Sequence, residues 1–193
     1  MDVAFVTNVV YPFVQGGAQK RVHELGTRLA DRGHDVTVYG RHFWPGPRER
    51  DYEGMTLRAV APERDLYVDD RRSIREAVSF ATALWGPLRR YLDDHDVVDV
   101  SVFPYFPVVA ARAAMARSDV PLVTTWHECW RGYWREYLGL AGVGGMAVER
   151  VVAALSQYPI AVSGVTADRL ADIGPARDRI PVVPNGVDVE RIR

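Results

Sequence analysis

Two glycines stand directly before a predicted helix near the start of the chain, and this arrangement suits a phosphate-bearing ligand. Gly16 and Gly17 come after the apolar run of residues 3–6, which is typical of a strand covered on both faces. A backbone without side chains can approach a ligand closely, and the first N–H groups of a helix lack intrahelical partners and favour an anion. A flexible loop before a helix is the alternative explanation.

The sequence of this loop does not match two other phosphate-binding motifs. It lacks the G-x-G-x-x-G spacing of dinucleotide-binding proteins, and the second predicted strand ends in Tyr39, Gly40 and Arg41, with no acid for a ribose. It also lacks the G-x-x-x-x-G-K-[ST] sequence of a P-loop. Nicotinamide chemistry and nucleotide hydrolysis are therefore disfavoured.

A histidine follows another strand-like run, residues 121–125. At the end of a buried strand, His127 is expected to point into a cleft. There it would donate a hydrogen bond to a ligand hydroxyl or oxyanion, or act as a base. A structural histidine is the alternative. His127, Glu128 and Cys129 are consecutive, so their side chains cannot all converge on one ion, and a zinc site is disfavoured.

Aromatic residues interleaved with arginines come directly after this histidine. Planar side chains stack on sugar faces or cover lipid chains, and arginines pair with phosphate. Packing inside the domain is the favoured explanation for Trp126 and Trp134. The remaining members of the segment are Trp130, Arg131, Tyr133, Arg135 and Tyr137.

Four further features receive structural interpretations. Ser163 is expected to cap a helix, and the Asn185-Gly186 turn must redirect the chain after the last predicted strand. Residues 93–96 are expected to form a solvated turn. His34, at the start of a strand, would lie far from the cleft.

Short apolar runs alternate with longer stretches of helical period, which predicts βαβ units. The predicted strands are residues 3–6, 36–39, 55–60, 97–103, 121–125, 159–162 and 180–183. The predicted helices are about 18–32, 74–92, 104–117, 146–155 and 165–173. Residues 41–54 are expected to be an exposed loop. The fold class is therefore α/β, a Rossmann-like doubly wound parallel sheet of about seven strands, with ligand-binding loops at the carboxyl edge.

The composition is that of one folded domain of 193 residues. A formal net charge of −1 gives no attraction to nucleic acid, and a single cysteine, Cys129, favours a reducing compartment. The first residues lack the basic leader of a signal peptide, and no stretch is expected to reach the length of a membrane span. The expected location is cytoplasmic, with peripheral contact at the inner membrane face left open.

Taken in order, these segments resemble the N-terminal half of a GT-B glycosyltransferase of glycosyltransferase family 4. The resemblance covers essentially the whole chain, and its last block is the most specific. It rests on residues 16–19, 29–38, 125–128, 162–163 and 182–188.

The resemblance implies retaining transfer of a sugar from a nucleotide-sugar to a hydroxyl acceptor, such as a glycan or a lipid-linked molecule, without a metal or other cofactor. It implies that Gly16 and Gly17 contact the donor diphosphate and that His127 contacts the donor sugar as a catalytic residue. The implied acceptor-binding residues are Tyr11, Trp130, Arg131, Tyr133 and Arg135, and the implied interdomain hinge is Asn185, Gly186 and Asp188.

Residues 1–193 are accordingly expected to be the acceptor-side domain, inactive alone, with the nucleotide-sugar-binding C-terminal domain outside this chain. One alternative is a non-catalytic module that binds a sugar phosphate or a protein. Another is half of a nucleotide-sugar 2-epimerase, which needs carboxylates in the cleft.

Overall fold

The computed structural model of the protein describes residues 1–68 and 71–186. Its strands are β1 (Asp2–Val6), β2 (Asp35–His42), β3 (Glu49–Tyr52), β4 (Met55–Pro62), β5 (Tyr67–Val68), β6 (Arg71–Arg72), β7 (Val97–Ser101), β8 (Leu122–Trp126) and β9 (Tyr158–Ala161). Its helices are α1 (Gly17–Ala30), α2 (Ile74–Arg90), α3 (Phe106–Ala114), α4 (Tyr133–Leu138), α5 (Gly142–Leu155) and α6 (Gly164–Ala171).

Seven strands form one sheet in the order β3-β4-β2-β1-β7-β8-β9, and β5 pairs with β6 apart from it. Every neighbouring pair in the sheet is parallel except β3 and β4. The doubly wound α/β fold predicted from the sequence is confirmed. Its parallel strands end at one carboxyl edge, where the loops before α1, α3, α4 and α6 begin.

The alternation of β1 separates two apolar cores. Val3 and Phe5 pack on one face with Val22 of α1. Ala4 and Val6 belong to the core on the other face, which is larger because it contains residues of α2, α3, α5 and α6. Side chains in a strand point alternately to opposite faces, so one central strand anchors both layers.

Two local predictions are wrong although the number of strands agrees. Residues 41–54 are not an exposed loop, because β2 continues to His42 with Arg41 fully buried, and β3 then pairs antiparallel with β4. The predicted strand at 180–183 makes only an isolated bridge, between Val182 and Ala161. The seventh strand is therefore the hairpin partner β3.

The turn at 93–96 is also not wholly solvated. Asp93 and Asp94 are exposed, but His95 is buried, and its Nε2 lies 2.7 Å from the hydroxyl of Tyr39. Burial lowers the pKa of His95, with a smaller contribution from the charge of Arg58. This histidine therefore belongs to the packing between β2 and the turn.

The segment Tyr133–Leu155 is long and apolar enough, by length and composition, to cross a membrane, contrary to the expectation from sequence. In the fold it is divided into α4, a short 3-10 turn and α5, with Gly139 at a φ of 60° between the two helices. Only 22% of its most apolar window is buried. The segment is thus largely exposed, unlike the central helix of a soluble core.

Candidate functional site at the carboxyl edge

The glycine pair forms an exposed, uncapped N-terminus of α1. Gly16 is the N-cap residue, no side chain caps the helix, and the first turn contains no acidic residue. The first intrahelical bond runs from the N–H of Lys20 to the carbonyl of Gly16, at 2.9 Å. A Cβ on Gly17 would meet nothing within 4 Å, whereas one on Gly16 would clash with the side chain of Gln19. The turn is therefore open to an anionic ligand on the side of Gly17.

His127 follows directly on β8, where its ring is half-buried. Its Nε2 atom is buried and has no hydrogen-bond partner among the described residues. Burial, together with the charge of Arg21, lowers the pKa of His127 to about 4. The imidazole is therefore neutral near pH 7 and can donate a hydrogen bond from one nitrogen while accepting at the other.

Arg21 lies near both His127 and a carboxylate on the sheet. Asp99 of β7 accepts hydrogen bonds from the Thr125 hydroxyl to both carboxylate oxygens, at 2.9 and 3.0 Å. Burial raises the pKa of Asp99 to about 6, against the opposing effects of Thr125 and of the Arg21 charge. Because Arg21 sits one helical turn after Gly17, it brings the glycine turn, His127 and Asp99 into one site.

Arg21 also holds the end of the described chain. Its Nη1 donates to the carbonyl of Pro184 at 3.1 Å and to the side-chain oxygen of Asn185 at 3.4 Å. Asn185 and Gly186, two of the predicted hinge residues, are exposed at this edge. The third, Asp188, lies outside the described residues.

A buried glutamate fixes the loop between β8 and α4. Glu149 of α5 accepts hydrogen bonds from the hydroxyl of Tyr105 at 2.8 Å and from the backbone N–H groups of Trp130 and Arg131, each at 2.7 Å. Burial and the charge of Glu149 raise the pKa of the Cys129 thiol to about 12. This cysteine is therefore a buried thiol rather than a nucleophilic thiolate.

The aromatic segment forms one cluster over the β7–α3 loop. The ring of Trp130 stacks on Phe103, with centroids 5.7 Å apart, and lies 4.7 Å from Trp134. Trp126 and Trp134 are buried, which confirms the packing expected for both. Tyr133 is half exposed, and its ring stacks on Tyr137 at 6.5 Å.

The other predicted acceptor residues are more scattered. Arg131 forms an ion pair with Asp172, at 2.6 Å, and Arg135 is exposed on α4. Tyr11 lies instead beside α1, where its ring is tilted against His23 at a centroid distance of 4.9 Å. The structure therefore groups Trp130, Arg131 and Tyr133 but associates Tyr11 with the glycine loop.

Several polar residues of the site were missed from the sequence. Asp99 interrupts the apolar run Val97-Val98-Asp99-Val100, and Glu149 is the only acid in the apolar sequence of α5. Both signals are visible, since a charge within a buried pattern needs a partner. Arg21 carries no comparable signal, because an arginine on an amphipathic helix is ordinary.

Arg41 and Glu76 form a buried ion pair beneath the same edge. Arg41 Nε lies 2.6 Å from Glu76 Oε1, and both side chains are fully buried. The side-chain amide of Asn8, in the loop after β1, donates to the same carboxylate at 3.2 and 3.3 Å. The pair therefore joins the glycine loop, the end of β2 and the beginning of α2.

Among the residues described, no group of three or more His, Cys, Asp or Glu side chains could hold a metal ion.

Comparisons with known proteins agree with this architecture. Glycogen synthase from Mycobacterium tuberculosis is 28% identical over 205 residues, which cover 99% of this chain and 49% of the relative. The chain thus spans about half the length of the curated relatives it matches.

Solved structures with a similar fold have low sequence identity. Sucrose-phosphate synthase from Thermosynechococcus elongatus has a TM-score of 0.76 at 12% identity, covering 98% of this chain and 49% of that one. Anabaena HepE in complex with UDP-glucose has a TM-score of 0.62 at 14% identity, with 98% and 45% covered. UDP-GlcNAc 2-epimerase from Methanocaldococcus jannaschii has a TM-score of 0.54 at 13% identity, with 96% and 46% covered.

The sequence profile of Glycosyltransferase Family 4 matches residues 15–191, from the glycine turn to the segment after Asn185. This match includes the strands and helices that position His127, Asp99 and Glu149. The chain therefore belongs to glycosyltransferase family 4.

Proposed function

We propose that this chain is the acceptor-side half of a retaining glycosyltransferase that moves a sugar from a nucleotide-sugar to a hydroxyl acceptor. The observation that carries the proposal is the neutral His127, whose unpartnered Nε2 lies in the same site as the uncapped turn at Gly16 and Gly17. One feature offers hydrogen bonds to a sugar hydroxyl, and the other offers backbone donors to a phosphate.

The chemistry follows from where charge develops. As the bond between the sugar and the diphosphate breaks, negative charge grows on the leaving phosphate. Fixed N–H donors at Gly16 and Gly17 stabilise that charge without reorganising. His127 contacts the donor sugar near its reacting carbon. We propose that these protein donors replace a metal ion, so that no cofactor is required.

The donor nucleotide would be held mainly by a further domain of the same protein. The relative bound to UDP-glucose supports a nucleotide-sugar donor. The exposed Asn185 and Gly186, tied to α1 through Arg21, would connect the two domains at the cleft. We propose that the reaction takes place in the cytoplasm, where the nucleotide-sugar would be available to the site.

A nucleotide-sugar 2-epimerase is the second candidate. Epimerases share this fold, as the Methanocaldococcus structure illustrates. The observation in its favour is Asp99, a carboxylate at the site with a pKa raised to about 6. An epimerase would return an altered nucleotide-sugar, whereas a transferase would release a nucleotide and a glycosylated product.

The first experiment assays the intact protein that carries this chain against a panel of nucleotide-sugars and hydroxyl acceptors. NMR of the products would identify transfer, and the anomeric configuration of the new bond would identify retention. His127→Ala is expected to lower kcat by about 100-fold, the typical cost of losing one transition-state donor. Gly17→Phe keeps the backbone N–H but is expected to lower activity by a similar factor, because its ring occupies the open space that the phosphate needs.

Two matched variants serve as controls. His34→Ala alters a histidine at the opposite edge of the sheet, and Gly86→Phe adds a ring to a helix position where a Cβ meets nothing within 4 Å. Both are expected to keep wild-type kcat. Transfer undiminished in His127→Ala and Gly17→Phe would refute the assigned site, and an epimerised nucleotide-sugar as sole product would favour the second candidate.

A further inference from the structure

An apolar pocket of about 200 Å³ lies at the carboxyl edge, on the face of the sheet opposite α1. It is bounded by the first residues of α2, the β7–α3 loop, α4 and the beginning of α5. Six aromatic rings line it, from Phe103, Tyr105, Phe106, Trp130, Trp134 and Tyr137. Through Trp130, the pocket adjoins the loop that carries His127.

The lining offers little to a sugar. Its polar side-chain atoms belong to Ser73, whose hydroxyl caps α2, to Tyr105, whose hydroxyl donates to Glu149, and to Tyr137, Trp130 and Trp134. Trp134 is 9% exposed, and its Nε1 has no hydrogen-bond partner among the described residues. That nitrogen is itself closed off from solvent, so it offers no hydrogen bond to a molecule in the pocket. The pocket therefore fits an apolar chain.

The turn between α4 and α5 continues this apolar surface outward. Residues 137–148 contain no charged side chain. Leu140 is 97% exposed and Val143 is 54% exposed, while Ala141 and Gly145 face the pocket. Soluble surfaces rarely hold an uncharged, exposed apolar stretch of this kind unless it binds something.

Arginines flank the apolar turn on both sides. Arg135 is exposed before it and Arg150 is exposed after it, with two exposed acids nearby, Glu136 on α4 and Asp172 beside Arg150. Apolar residues between cations are typical of a segment that lies in a membrane interface, with the apolar side chains among acyl chains and the arginines at the phosphates. The low burial of the Tyr133–Leu155 segment agrees with this arrangement.

We propose that the α4–α5 turn inserts into a lipid bilayer and that the pocket takes the segment of the acceptor's apolar chain next to its hydroxyl end. The inference rests on the proposed transferase function and specifies its acceptor as a hydroxyl compound with a membrane-embedded chain. The chain passes from the bilayer along the turn to Trp134, and its hydroxyl end lies toward the β8 loop and His127.

The size of the pocket limits what it holds. Its volume lies below the roughly 300–1,000 Å³ typical of sites for drug-sized ligands, so it receives one segment of a chain rather than a whole lipid. A glycan acceptor would not account for the apolar lining of the pocket, and it would leave the apolar α4–α5 turn exposed to water.

The membrane contact is tested by flotation of the intact protein with vesicles of phosphatidylcholine and phosphatidylglycerol. The double variant Leu140→Gln/Val143→Gln is expected to lower the partition coefficient by about tenfold to a hundredfold, from the lost burial of two apolar side chains. Val151→Gln is the matched control, because Val151 lies two turns further along α5 and is 53% exposed. It is expected to float like the wild type.

The pocket is tested separately by titrating tryptophan fluorescence with decyl phosphate. Ala141→Phe is expected to weaken binding at least about tenfold, because the added ring fills the space of a bound chain. Ala147→Phe adds the same ring at an exposed position of α5 away from the pocket lining and is expected to bind normally.

These outcomes are distinguishable from failure of the proposed transferase function, since neither measurement needs a donor sugar. The membrane contact would be overturned if the protein did not float, or if Val151→Gln lost flotation as much as the double variant. It would also be overturned if another domain or a second copy covered Leu140. Undiminished binding of decyl phosphate to Ala141→Phe would overturn the pocket assignment. Membrane and chain binding without any glycosyl transfer would instead refute the function while leaving this surface intact.

Discussion

Two half-buried ionisable groups, Asp99 and His127, lie near the same arginine, and burial shifts their pKa values in opposite directions. Burial opposes the charged form of each, which raises the pKa of Asp99 from 3.8 to about 6 and lowers that of His127 from 6.5 to about 4. The charge of Arg21 lowers both values. Near pH 7, the site therefore holds a carboxylate and a neutral imidazole around one guanidinium.

These shifts predict opposing effects on stability in one pH window. The folded protein binds the Asp99 proton more tightly than the unfolded chain, so this group makes the free energy of unfolding fall as the pH rises from about 4 to about 6. The folded protein binds the His127 proton less tightly, so this group makes the same free energy rise between about pH 4 and 6.5. Each shift corresponds to about 3 kcal/mol, and the two contributions nearly cancel.

Asp99→Asn should expose the contribution of His127. The free energy of unfolding of this variant should rise by about 3 kcal/mol, relative to wild type, between pH 4 and 6.5. His127→Gln should show the reverse trend. Urea unfolding at several pH values measures both, and the double variant should again resemble the wild type. A flat difference between Asp99→Asn and wild type across this range would contradict the assigned pKa shift.

Sequence patterns predicted some residues of the candidate site and missed their neighbours for a physical reason. His127 and the glycine pair were predicted because strand ends and helix starts can be located from local periodicity. Arg21 was missed because its role depends on contacts with Pro184 and Asn185, more than 160 residues away. Local sequence patterns do not reveal contacts between residues that are so far apart in the chain.

At the scale of elements, the beginning of α2 is held to the sheet by the buried pair of Arg41 and Glu76. Arg41 also donates to the backbone carbonyl of Glu76 at 2.8 Å and to that of Pro62 at 2.8 Å. Asn8 donates to the Glu76 carboxylate from the other side, beneath the glycine loop. The register of the glycine loop, β2 and α2 therefore depends on one buried carboxylate.

Glu76→Gln should be strongly destabilising. It leaves the fully buried guanidinium of Arg41 without a neutralising charge, which typically costs about 3–5 kcal/mol of unfolding free energy. The matched control is Asp168→Asn, which breaks the exposed pair with Arg177 and should cost less than about 1 kcal/mol. Urea unfolding of both variants measures the difference, and similar losses would show that burial of the first pair has no special effect.

The elements that were predicted wrongly share a cause. β3 reads Glu-Arg-Asp-Tyr, and its four residues carry no apolar alternation because the strand lies at the edge of the sheet. Residues 180–183 have the β-branched composition of a strand, yet only Val182 bridges to β9. Edge elements depend on which neighbours are present, whereas central strands such as β1 are recognisable from their own burial.

At the scale of the whole molecule, the proposed function makes the described residues one wall of a cleft. The glycine turn, His127 and Asn185 all lie at the carboxyl edge of one sheet, and the relatives extend to about twice this length. An exposed helix N-terminus contributes only about 0.3–1 kcal/mol toward binding an anion. Even a dissociation constant of 1 mM requires about 4 kcal/mol, so this wall alone is insufficient.

Residues 1–193 expressed alone should therefore bind UDP-glucose with a dissociation constant above about 1 mM and show no transfer. The intact protein should bind a nucleotide-sugar at least about a hundredfold more tightly, because a second wall would add direct contacts to the nucleotide. Isothermal titration of both proteins with UDP-glucose and further nucleotide-sugars measures the difference. Cooperative urea unfolding of the fragment would establish that it is folded during the titration. If the folded fragment bound within tenfold of the intact protein, the donor site would lie within this chain, and the division of the two substrates between halves would be wrong.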